Sequence, residues 1–293
     1  MENHSEGVTN AASADDLIRM ALKEDIGSGD ATTQSVIDAG SRATGRMVAR
    51  QSMVVCGVEV VRRVYQLLDP ECGVEVDQTD GGQVEAGTTI LTITGPARSV
   101  LTGERVALNF IQRLSGIATL THHYSQAIEG TPTRLLDTRK TTPGWRHLEK
   151  YAVKCGGGTN HRSGLHDMVM IKDNHLATLR GSHPGESAIA VAVSKARQSY
   201  PDLQIEVEAD ELGQVREALE AGADIILLDN MSLAELREAV SLCRGRARTE
   251  ASGGINLTTI RDVAETGPDF ISVGALTHSA ANVDIGLDFD FSA

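Results

Sequence analysis

Aromatic residues are scarce in this chain, since Phe, Trp and Tyr together make up 3% of its 293 residues. The core must therefore be built from aliphatic side chains, and few rings remain on which nucleic-acid bases could stack. The net charge of −13 also argues against a nucleic-acid partner, because such binding depends on neutralising many phosphates with basic side chains. An RNA-binding role for the basic segment described below is accordingly disfavoured, and we expect no nucleic-acid partner.

Cysteine and long apolar runs are also in short supply. Cys56, Cys72, Cys155 and Cys243 are far apart and form neither a CxxC pair nor a Cys/His zinc spacing. Reduced thiols are the simplest interpretation. No apolar run reaches the ~20 residues of a membrane span, and the first residues lack the basic and apolar regions of a signal peptide. We expect a cytoplasmic protein with no membrane partner.

The chain is long enough for one barrel domain and a smaller one. Residues 1–12 are small and polar, which predicts a disordered N-terminus. Residues 13–130 are predicted to form an N-terminal α/β domain that ends near Gly130 and Pro132. Its predicted helices are 15–25, 58–68, 99–114 and 118–128, and its predicted strands are 45–55 and 72–79. Residues 280–293 alternate apolar and acidic side chains near their end, which predicts an edge strand or a tail that returns to the first domain.

A regular pattern follows in residues 131–279, where short apolar runs alternate with amphipathic helices. The runs are 135–136, 168–171, 205–207, 225–228, 247–251 and 270–273, and the helices include 211–220 and 233–243. This alternation predicts a parallel sheet with helices outside it. A β/α barrel collects polar groups at the carboxyl ends of its strands. Because six strands are fewer than eight, we predict an incomplete or modified barrel.

One segment of this region, residues 134–175, differs in charge from the remainder of the chain. It contains eight basic and four acidic residues, whereas the remaining residues are 19 basic and 36 acidic, a net charge of −17. A cationic segment in an acidic protein attracts anions. The basic residues are Arg134, Arg139, Lys140, Arg146, Lys150, Lys154, Arg162 and Lys172. The alternative is a solvated basic loop with a flexible glycine hinge.

Other predicted strand ends carry groups suited to a sugar phosphate. Glu208 and Asp229 end neighbouring strands, and their hard oxygen atoms suit Mg²⁺ or sugar hydroxyls, although each could instead cap the following helix. Residues 252–254 and 273–275 offer small side chains where a phosphate could bind, and a helix predicted after the first segment would present N–H groups to it. Each could equally be an ordinary turn.

Two residue types on their own allow other interpretations. Arg105, on a predicted helix, is a surface arginine on sequence alone. A lysine at a strand end, Lys140 or Lys172, could be the nucleophile of a Schiff-base aldolase. Borohydride trapping with a carbonyl substrate would separate that class from the others.

Three long motifs resemble those of the quinolinate phosphoribosyltransferase family, also called carboxylating nicotinate-nucleotide pyrophosphorylases. They are DTRKTTPG at 137–144, KCGGGTNHRSGLHD at 154–167 and IKDNH at 171–175. The resemblance runs from about residue 15 to 278 and includes VEAD at 207, LLDN at 227, SGG at 252 and SVGALTH at 272. Trp145 is a departure, since an aliphatic residue is expected there.

The resemblance implies an α/β chain with an N-terminal α/β sandwich and a C-terminal barrel of fewer than eight strands. It implies that quinolinate and phosphoribosyl pyrophosphate give nicotinate mononucleotide, pyrophosphate and CO₂ in de novo NAD biosynthesis, with Mg²⁺. It further implies a homodimer whose sites lie between subunits, so that Arg105 reaches the partner's site. A paralogue of the same fold that acts on another anionic heterocycle is the nearest alternative.

The resemblance also assigns roles to individual residues. Those it places around the carboxylates of quinolinate are Arg105, Arg139, His161, Arg162 and Lys172. Thr138 and Lys140 are expected near the substrates, with Lys140 at the ribose–pyrophosphate junction. Glu208 and Asp229 are expected to serve the ribose and Mg²⁺, partly through water or substrate. The expected phosphate-binding residues are Ser252, Gly253, Gly254, Val273, Gly274 and Ala275.

Overall fold

The structure is a computed structural model that describes residues 11–182 and 185–290. It divides into two compact units. Unit 1 comprises residues 1–122, 141–157 and 276–293, and unit 2 comprises residues 123–140 and 158–275. The predicted disordered N-terminus lies outside the described residues, except for Ala11 and Ala12, with which the first helix begins.

Unit 1 is built on a four-stranded antiparallel sheet. Its elements are α1 (Ala11–Ile26), α2 (Ala31–Val36), β1 (Arg42–Ala49), β2 (Met53–Val54), α3 (Val58–Leu68), β3 (Gly73–Val76), β4 (Gln83–Val84), β5 (Thr89–Pro96), most of α4 (Ala97–Ala127), α5 (Arg146–Cys155) and β12 (Ile285–Asp290). The sheet order is β12-β1-β5-β3, and β2 pairs separately with β4. The alternation near the C-terminus thus does form an edge strand, β12, which pairs with β1.

Aliphatic side chains fill the core of unit 1, as the scarcity of aromatics requires. The inner face of α3 buries Val60, Val61, Val64 and Tyr65. Residues two apart on β1, Met47 and Ala49, are both fully buried, because successive side chains of a strand point to opposite faces. Helix α3 also holds α1, since Arg63 on α3 donates to Asp15 on α1 at 2.8 Å.

Helix α4 corrects one prediction. The sequence analysis placed two helices at 99–114 and 118–128, whereas a single helix of 31 residues covers both. Gly116, in the middle, does not interrupt it. A Cβ atom at Gly116 would lie 2.1 Å from the carbonyl oxygen of Ala281, so glycine is needed there for close approach of the C-terminal segment and not to end a helix. No helix of the described residues, α4 included, combines the length and apolar character that a membrane span requires.

Helix α5 bears on the alternative interpretation of the cationic segment as a solvated basic loop, because it divides that segment. Arg146, Lys150 and Lys154 lie on this helix in unit 1, and Lys150 is buried. Trp145, the residue before α5, stacks on Phe110 of α4 with ring centroids 4.8 Å apart. The basic residues of 134–175 therefore do not form one continuous cationic loop.

Unit 2 contains a six-stranded parallel sheet. Its elements are β6 (Arg134–Leu136), β7 (Val169–Ile171), α6 (Asp173–Ser182), α7 (Ala188–Ser199), β8 (Ile205–Ala209), α8 (Leu212–Ala221), β9 (Ile225–Asp229), α9 (Leu233–Cys243), β10 (Arg248–Ser252), α10 (Ile260–Ala264) and β11 (Phe270–Ser272), followed by the short helix α11 (Ala275–His278) at the boundary with unit 1. All six predicted strands are confirmed. The order β6-β11-β10-β9-β8-β7 leaves β6 and β7 unpaired with each other, as expected for an incomplete β/α barrel.

A buried ion pair holds α4, α5 and the C-terminal segment of unit 1 together. Arg113 on α4 donates to Glu149 on α5 at 2.9 Å, to the carbonyl oxygen of Ala280 at 2.7 Å and to that of Thr277. Glu149 is fully buried and also accepts from the backbone and hydroxyl of Thr142. The charge of Glu149 is thus compensated by Arg113 and by the two hydrogen bonds from Thr142.

We predict that Glu149→Gln destabilises the protein by about 1.5–3 kcal/mol, because the half-buried guanidinium of Arg113 loses its charge-assisted hydrogen bond to the carboxylate. Urea unfolding would measure the change. Glu71→Gln is the matched control in the same unit, since Glu71 faces Arg42 at 3.9 Å with both side chains exposed, and we expect it to cost less than about 1 kcal/mol. Equal effects of the two substitutions would contradict a structural role for the buried pair.

Candidate active site

The carboxyl ends of the unit 2 strands form the candidate site. Parallel strands all end at the same edge of a sheet, and in β/α barrels that edge is where active sites are built. Basic and acidic side chains occupy different parts of this edge. Arg139 and Lys140 follow β6 and Lys172 follows β7, whereas Glu208 and Asp229 end the inner strands β8 and β9. The cations thus follow the two outer strands of the sheet order, and the acids end inner strands.

A further segment extends this edge beside β6. Thr159 bridges Leu136 in parallel, and Asp137 accepts the backbone N–H of His161 at 2.8 Å and the side-chain amide of Asn160 at 2.7 Å. Asp137 is itself fully buried. The segment that carries His161 and Arg162 is therefore held against the end of β6, near Thr138, whose hydroxyl accepts the N–H of Lys140 at 3.1 Å.

Arg139 and Arg162 are neighbouring guanidinium groups that could bind an anion. The Nε of Arg139 is buried without a hydrogen-bond partner among the described residues. Arg162 donates to the carbonyl oxygen of Met168 at 3.2 Å and lies 3.4 Å from the sulfur of Met170. Burial, together with the charge of Arg139, lowers the pKa of Arg162. A bound anion would relieve the repulsion between two guanidinium groups and supply the acceptor that Arg139 lacks.

The acidic side of the edge contains three carboxylates. Oxygen atoms of Glu208, Asp210 and Asp229 lie within 4.8 Å of one another. Burial and the charges of Glu208 and Asp210 raise the pKa of Asp229, against the opposing charges of Lys172 and Lys140. Lys172 donates to Glu208 at 2.6 Å, so the two sides of the edge meet. The sequence analysis missed Asp210, although its spacing of two from Glu208 on a strand was a usable signal.

The two small-residue segments end the adjacent strands β10 and β11. Gly253 and Gly254 have φ values of +93° and +62°, and a Cβ at Gly253 would lie 2.2 Å from Oδ1 of Asn230. The helix predicted after residues 252–254 is present as α10, but it starts only at Ile260, beyond a turn at 257–259, and has five residues. Any phosphate at residues 252–254 would meet loop amides. In the second segment, residues 273–275, the N–H of Val273 already donates to Leu136 at 3.0 Å.

His161 lies deeper, between two glutamates that the sequence analysis did not identify. Its Nε2 is 3.2 Å from an oxygen of Glu206 and 3.2 Å from an oxygen of Glu250. Both glutamates are almost fully buried, at 0% and 1% exposure. The available signal was a lone acid within an apolar strand, as in Ile205-Glu206-Val207.

The protonation of this cluster follows from its burial. Burial and the charge of Glu250 raise the pKa of Glu206 to about 7. Burial lowers the pKa of His161, but the hydrogen bonds and charges of the two glutamates outweigh it and raise that pKa to about 10. Nδ1 of His161 accepts the N–H of Arg162 at 2.7 Å, a contact that requires an unprotonated Nδ1 and must open when the ring becomes charged. Nε2, which faces the carboxylates, carries a proton in both forms.

Arg105 belongs to a different unit from the other predicted substrate-binding residues. It is an exposed residue of α4 in unit 1. The structure therefore gathers the other predicted substrate-binding residues and the small-residue segments in unit 2, and leaves Arg105 outside that set.

Comparison with known proteins identifies the family. Residues 30–115 match the sequence model of the quinolinate phosphoribosyl transferase N-terminal domain, and residues 117–288 match that of the C-terminal domain. The chain is 43% identical over 284 residues to the nicotinate-nucleotide pyrophosphorylase [carboxylating] of Mycobacterium leprae (strain TN), covering 94% of this chain and 96% of that protein.

Two further similarities extend over most of the chain. A tobacco (Nicotiana tabacum) protein named quinolinate phosphoribosyltransferase [decarboxylating] 1b is 38% identical over 290 residues, which are 94% of this chain and 81% of the tobacco protein. The structure of the nicotinate-nucleotide pyrophosphorylase from Francisella tularensis superposes with a TM-score of 0.89 and 40% identity, covering 95% of this chain and 96% of that one. The chain therefore belongs to the quinolinate phosphoribosyltransferase family.

Proposed function

We propose that the carboxyl edge of the unit 2 sheet is where this chain carries out the reaction of its family. In that reaction phosphoribosyl pyrophosphate donates its phosphoribosyl group to quinolinate, and nicotinate mononucleotide, pyrophosphate and CO₂ are formed. The observation that supports this proposal most directly is the order in which basic and acidic side chains follow one another along the edge. Cations follow the outer strands and acids end inner strands, and the two meet at Lys172 and Glu208.

Quinolinate, a pyridine with two carboxylates, fits the cationic side. Arg139 and Arg162 can each pair with a carboxylate through two parallel hydrogen bonds, and each charge-assisted bond contributes about 1.5–3 kcal/mol. Lys172 and Lys140 add positive charge on the side that faces the acids. A bound dianion also offsets the mutual repulsion of Arg139 and Arg162. The new hydrogen bonds and the reduced repulsion both favour binding.

The sugar phosphate fits the acidic side. Glu208 and Asp229 can accept hydrogen bonds from ribose hydroxyls, and the amides of residues 252–254 can face the 5′-phosphate. The cluster of Glu208, Asp210 and Asp229 also fits Mg²⁺, since hard oxygen donors within 4.8 Å of one another are the ligands this ion prefers. When bound there, Mg²⁺ would neutralise negative charge on the pyrophosphate and make it a better leaving group.

The residues of the edge would act by position and charge. As pyrophosphate departs, positive charge develops at C1 of the ribose, which the carboxylates of Glu208 and Asp229 stabilise. The pyridine nitrogen, aligned by Arg139 and Arg162, attacks C1 and becomes quaternary. Its positive charge then stabilises the electron pair left on C2 of the ring when the adjacent carboxylate leaves as CO₂, and a proton from water forms the new C2–H bond. Orientation and electrostatics of this kind need no obligatory general base.

Replacement of a guanidinium tests the cationic side. We predict that Arg162→Ala or Arg139→Ala lowers kcat/KM for quinolinate by at least about 100-fold, because two charge-assisted hydrogen bonds are lost, while thermal unfolding stays near that of the unmodified protein. Arg134→Ala is the matched control. Arg134 begins β6, at the other end of the strand from Arg139, and lies over the Phe270 ring at 4.9 Å. Near-normal kcat/KM in Arg162→Ala and Arg139→Ala would count heavily against this site.

A direct assay tests the reaction and the metal. We expect the pure protein to convert quinolinate and phosphoribosyl pyrophosphate to nicotinate mononucleotide with release of CO₂, and to stop when EDTA removes Mg²⁺. Product is followed by chromatography and CO₂ by isotope release from the 2-carboxylate. Turnover of another anionic heterocycle without decarboxylation would instead support a paralogous function.

We further propose a homodimer in which Arg105 completes the site of the partner subunit, which its exposure permits. The test mixes inactive Arg105→Ala and Arg162→Ala proteins and allows subunits to exchange. If sites are shared, the mixed dimers contain one intact site of two, and about a quarter of the activity returns. No recovery in a mixture shown to exchange would place Arg105 in its own subunit's site or outside both.

A further inference from the structure

We propose that Glu206 and Glu250 are positioning residues that hold the His161 ring through Nε2 and so fix the segment that presents Arg162 to quinolinate. This inference rests on the proposed function for its substrate. It assigns a role to two buried carboxylates that the reaction itself does not use.

The glutamates lie on the inner face of the sheet, beneath the candidate site. On β8, Glu206 and Glu208 are two residues apart and therefore face the same side, with Glu206 fully buried and Glu208 at the strand end. On β10, Glu250 stands in the same relation to Ser252. The pair thus forms a layer below the residues proposed to meet the sugar phosphate.

Two buried carboxylates at this position work against stability. A ring nitrogen of His161 and carboxylate oxygens of Glu206 and Glu250 lie within 4.8 Å of one another. The two acids therefore repel each other in a site that water does not screen. Among the described residues the Glu206 oxygens have no hydrogen bond of good geometry, and the ring of His161 is their close cationic neighbour. Branched apolar residues normally fill the interior of a β/α barrel, and they often match or exceed the stability of a buried ionic group.

The segment that these acids contact is a loop. Residues 159–168 contain no helix or strand of their own and follow consecutive glycines at 156–158, and the N–H groups of Ser163 and Gly164 donate to Asp167 within the loop. Its backbone is held at Thr159 and by the contacts with Asp137. The His161 ring adds a contact to the buried glutamates through Nε2. Because Arg162 follows His161 directly in the chain, a ring fixed through Nε2 restricts the backbone position from which Arg162 extends.

The location of the guanidinium makes this orientation matter. Arg162 reaches from this loop to Met168 and Met170 at the start of β7, and a shift of its backbone would move the guanidinium relative to Arg139. A displacement of ~1 Å at a substrate-orienting group can change a rate by 10²-fold. The acids thus act on quinolinate binding through His161 and Arg162, without touching the substrate.

The test compares Glu250→Leu with Glu250→Gln. Leucine removes one of the two carboxylates that face the Nε2–H, and the other, Glu206, has no hydrogen bond of good geometry among the described residues. We therefore expect KM for quinolinate to rise by ~10-fold or more while KM for phosphoribosyl pyrophosphate changes by less than ~2-fold. Glutamine keeps an oxygen acceptor, and we expect KM for quinolinate within ~3-fold of the unmodified protein. The melting temperature of the leucine variant should hold or rise, because one of two repelling buried acids is gone.

A double-mutant cycle separates action through His161 from a general effect. Once His161→Leu is present, adding Glu250→Leu should raise KM for quinolinate by less than ~2-fold, since both changes break the same chain of contacts. Full additivity would overturn the proposal. So would a lower melting temperature with unchanged KM for quinolinate, which is the signature of structural support alone, or an equal loss for both substrates.

Two further measurements cover the remaining outcomes. The ¹⁵N NMR signal of the His161 Nε2–H should be protected from exchange in the unmodified protein and lost in Glu250→Leu; an unchanged signal would overturn the proposal even if the protein did not turn over quinolinate. Failure of the unmodified protein to turn over quinolinate would refute the proposed function alone. A tightly bound metal that Glu250→Leu removes would make the cluster a metal site and overturn the positioning role.

Discussion

The geometry of parallel strands is the constraint from which the site of unit 2 follows. Every strand ends at the same edge, and every second side chain faces the same side of the sheet. A single strand can therefore place Glu206 in the interior and Glu208 at the edge. The same alternation on β10 places Glu250 below Ser252. One short sequence pattern thus builds two layers, one proposed to meet substrate and one that supports it.

Charge separation gives this edge its chemical character. Guanidinium groups that repel each other, and carboxylates that repel each other, are costly to gather on a folded protein. The fold keeps each kind largely to its own strands and joins them at Lys172 and Glu208. The repulsion that remains would be relieved by ligands of opposite charge, in keeping with the proposed dianion on one side and the proposed metal-bound or hydroxyl-rich group on the other. Stability is given up locally where binding needs it.

Prediction from sequence succeeded where the pattern was periodic and local. Six strands of unit 2 and helices α3 and α9 follow from apolar runs and turn residues, because burial of one face imposes a period on the sequence. It failed where distant contacts decide. Two helices were predicted where α4 is continuous, and Gly116 between them is there to admit the carbonyl of Ala281. Helix α5 was also missed, in a segment rich in charged residues that runs into the glycines at 156–158. Its buried Glu149 is paired with Arg113, which is 36 residues away in the chain.

The sequence by itself determined the fold class, the family resemblance and the substrate-binding candidates Arg139, Arg162 and Lys172, because long ordered motifs and strand periodicity are local properties of the chain. Only the tertiary structure decided that residues 146–155 belong to unit 1, that the helix after residues 252–254 starts only at Ile260, and that Asp210 joins Glu208 and Asp229. It alone brought His161 between Glu206 and Glu250. Both glutamates are 45 or more positions from His161 in the chain, and the energy of a buried charge depends on which side chains surround it in space, a property that no local pattern encodes.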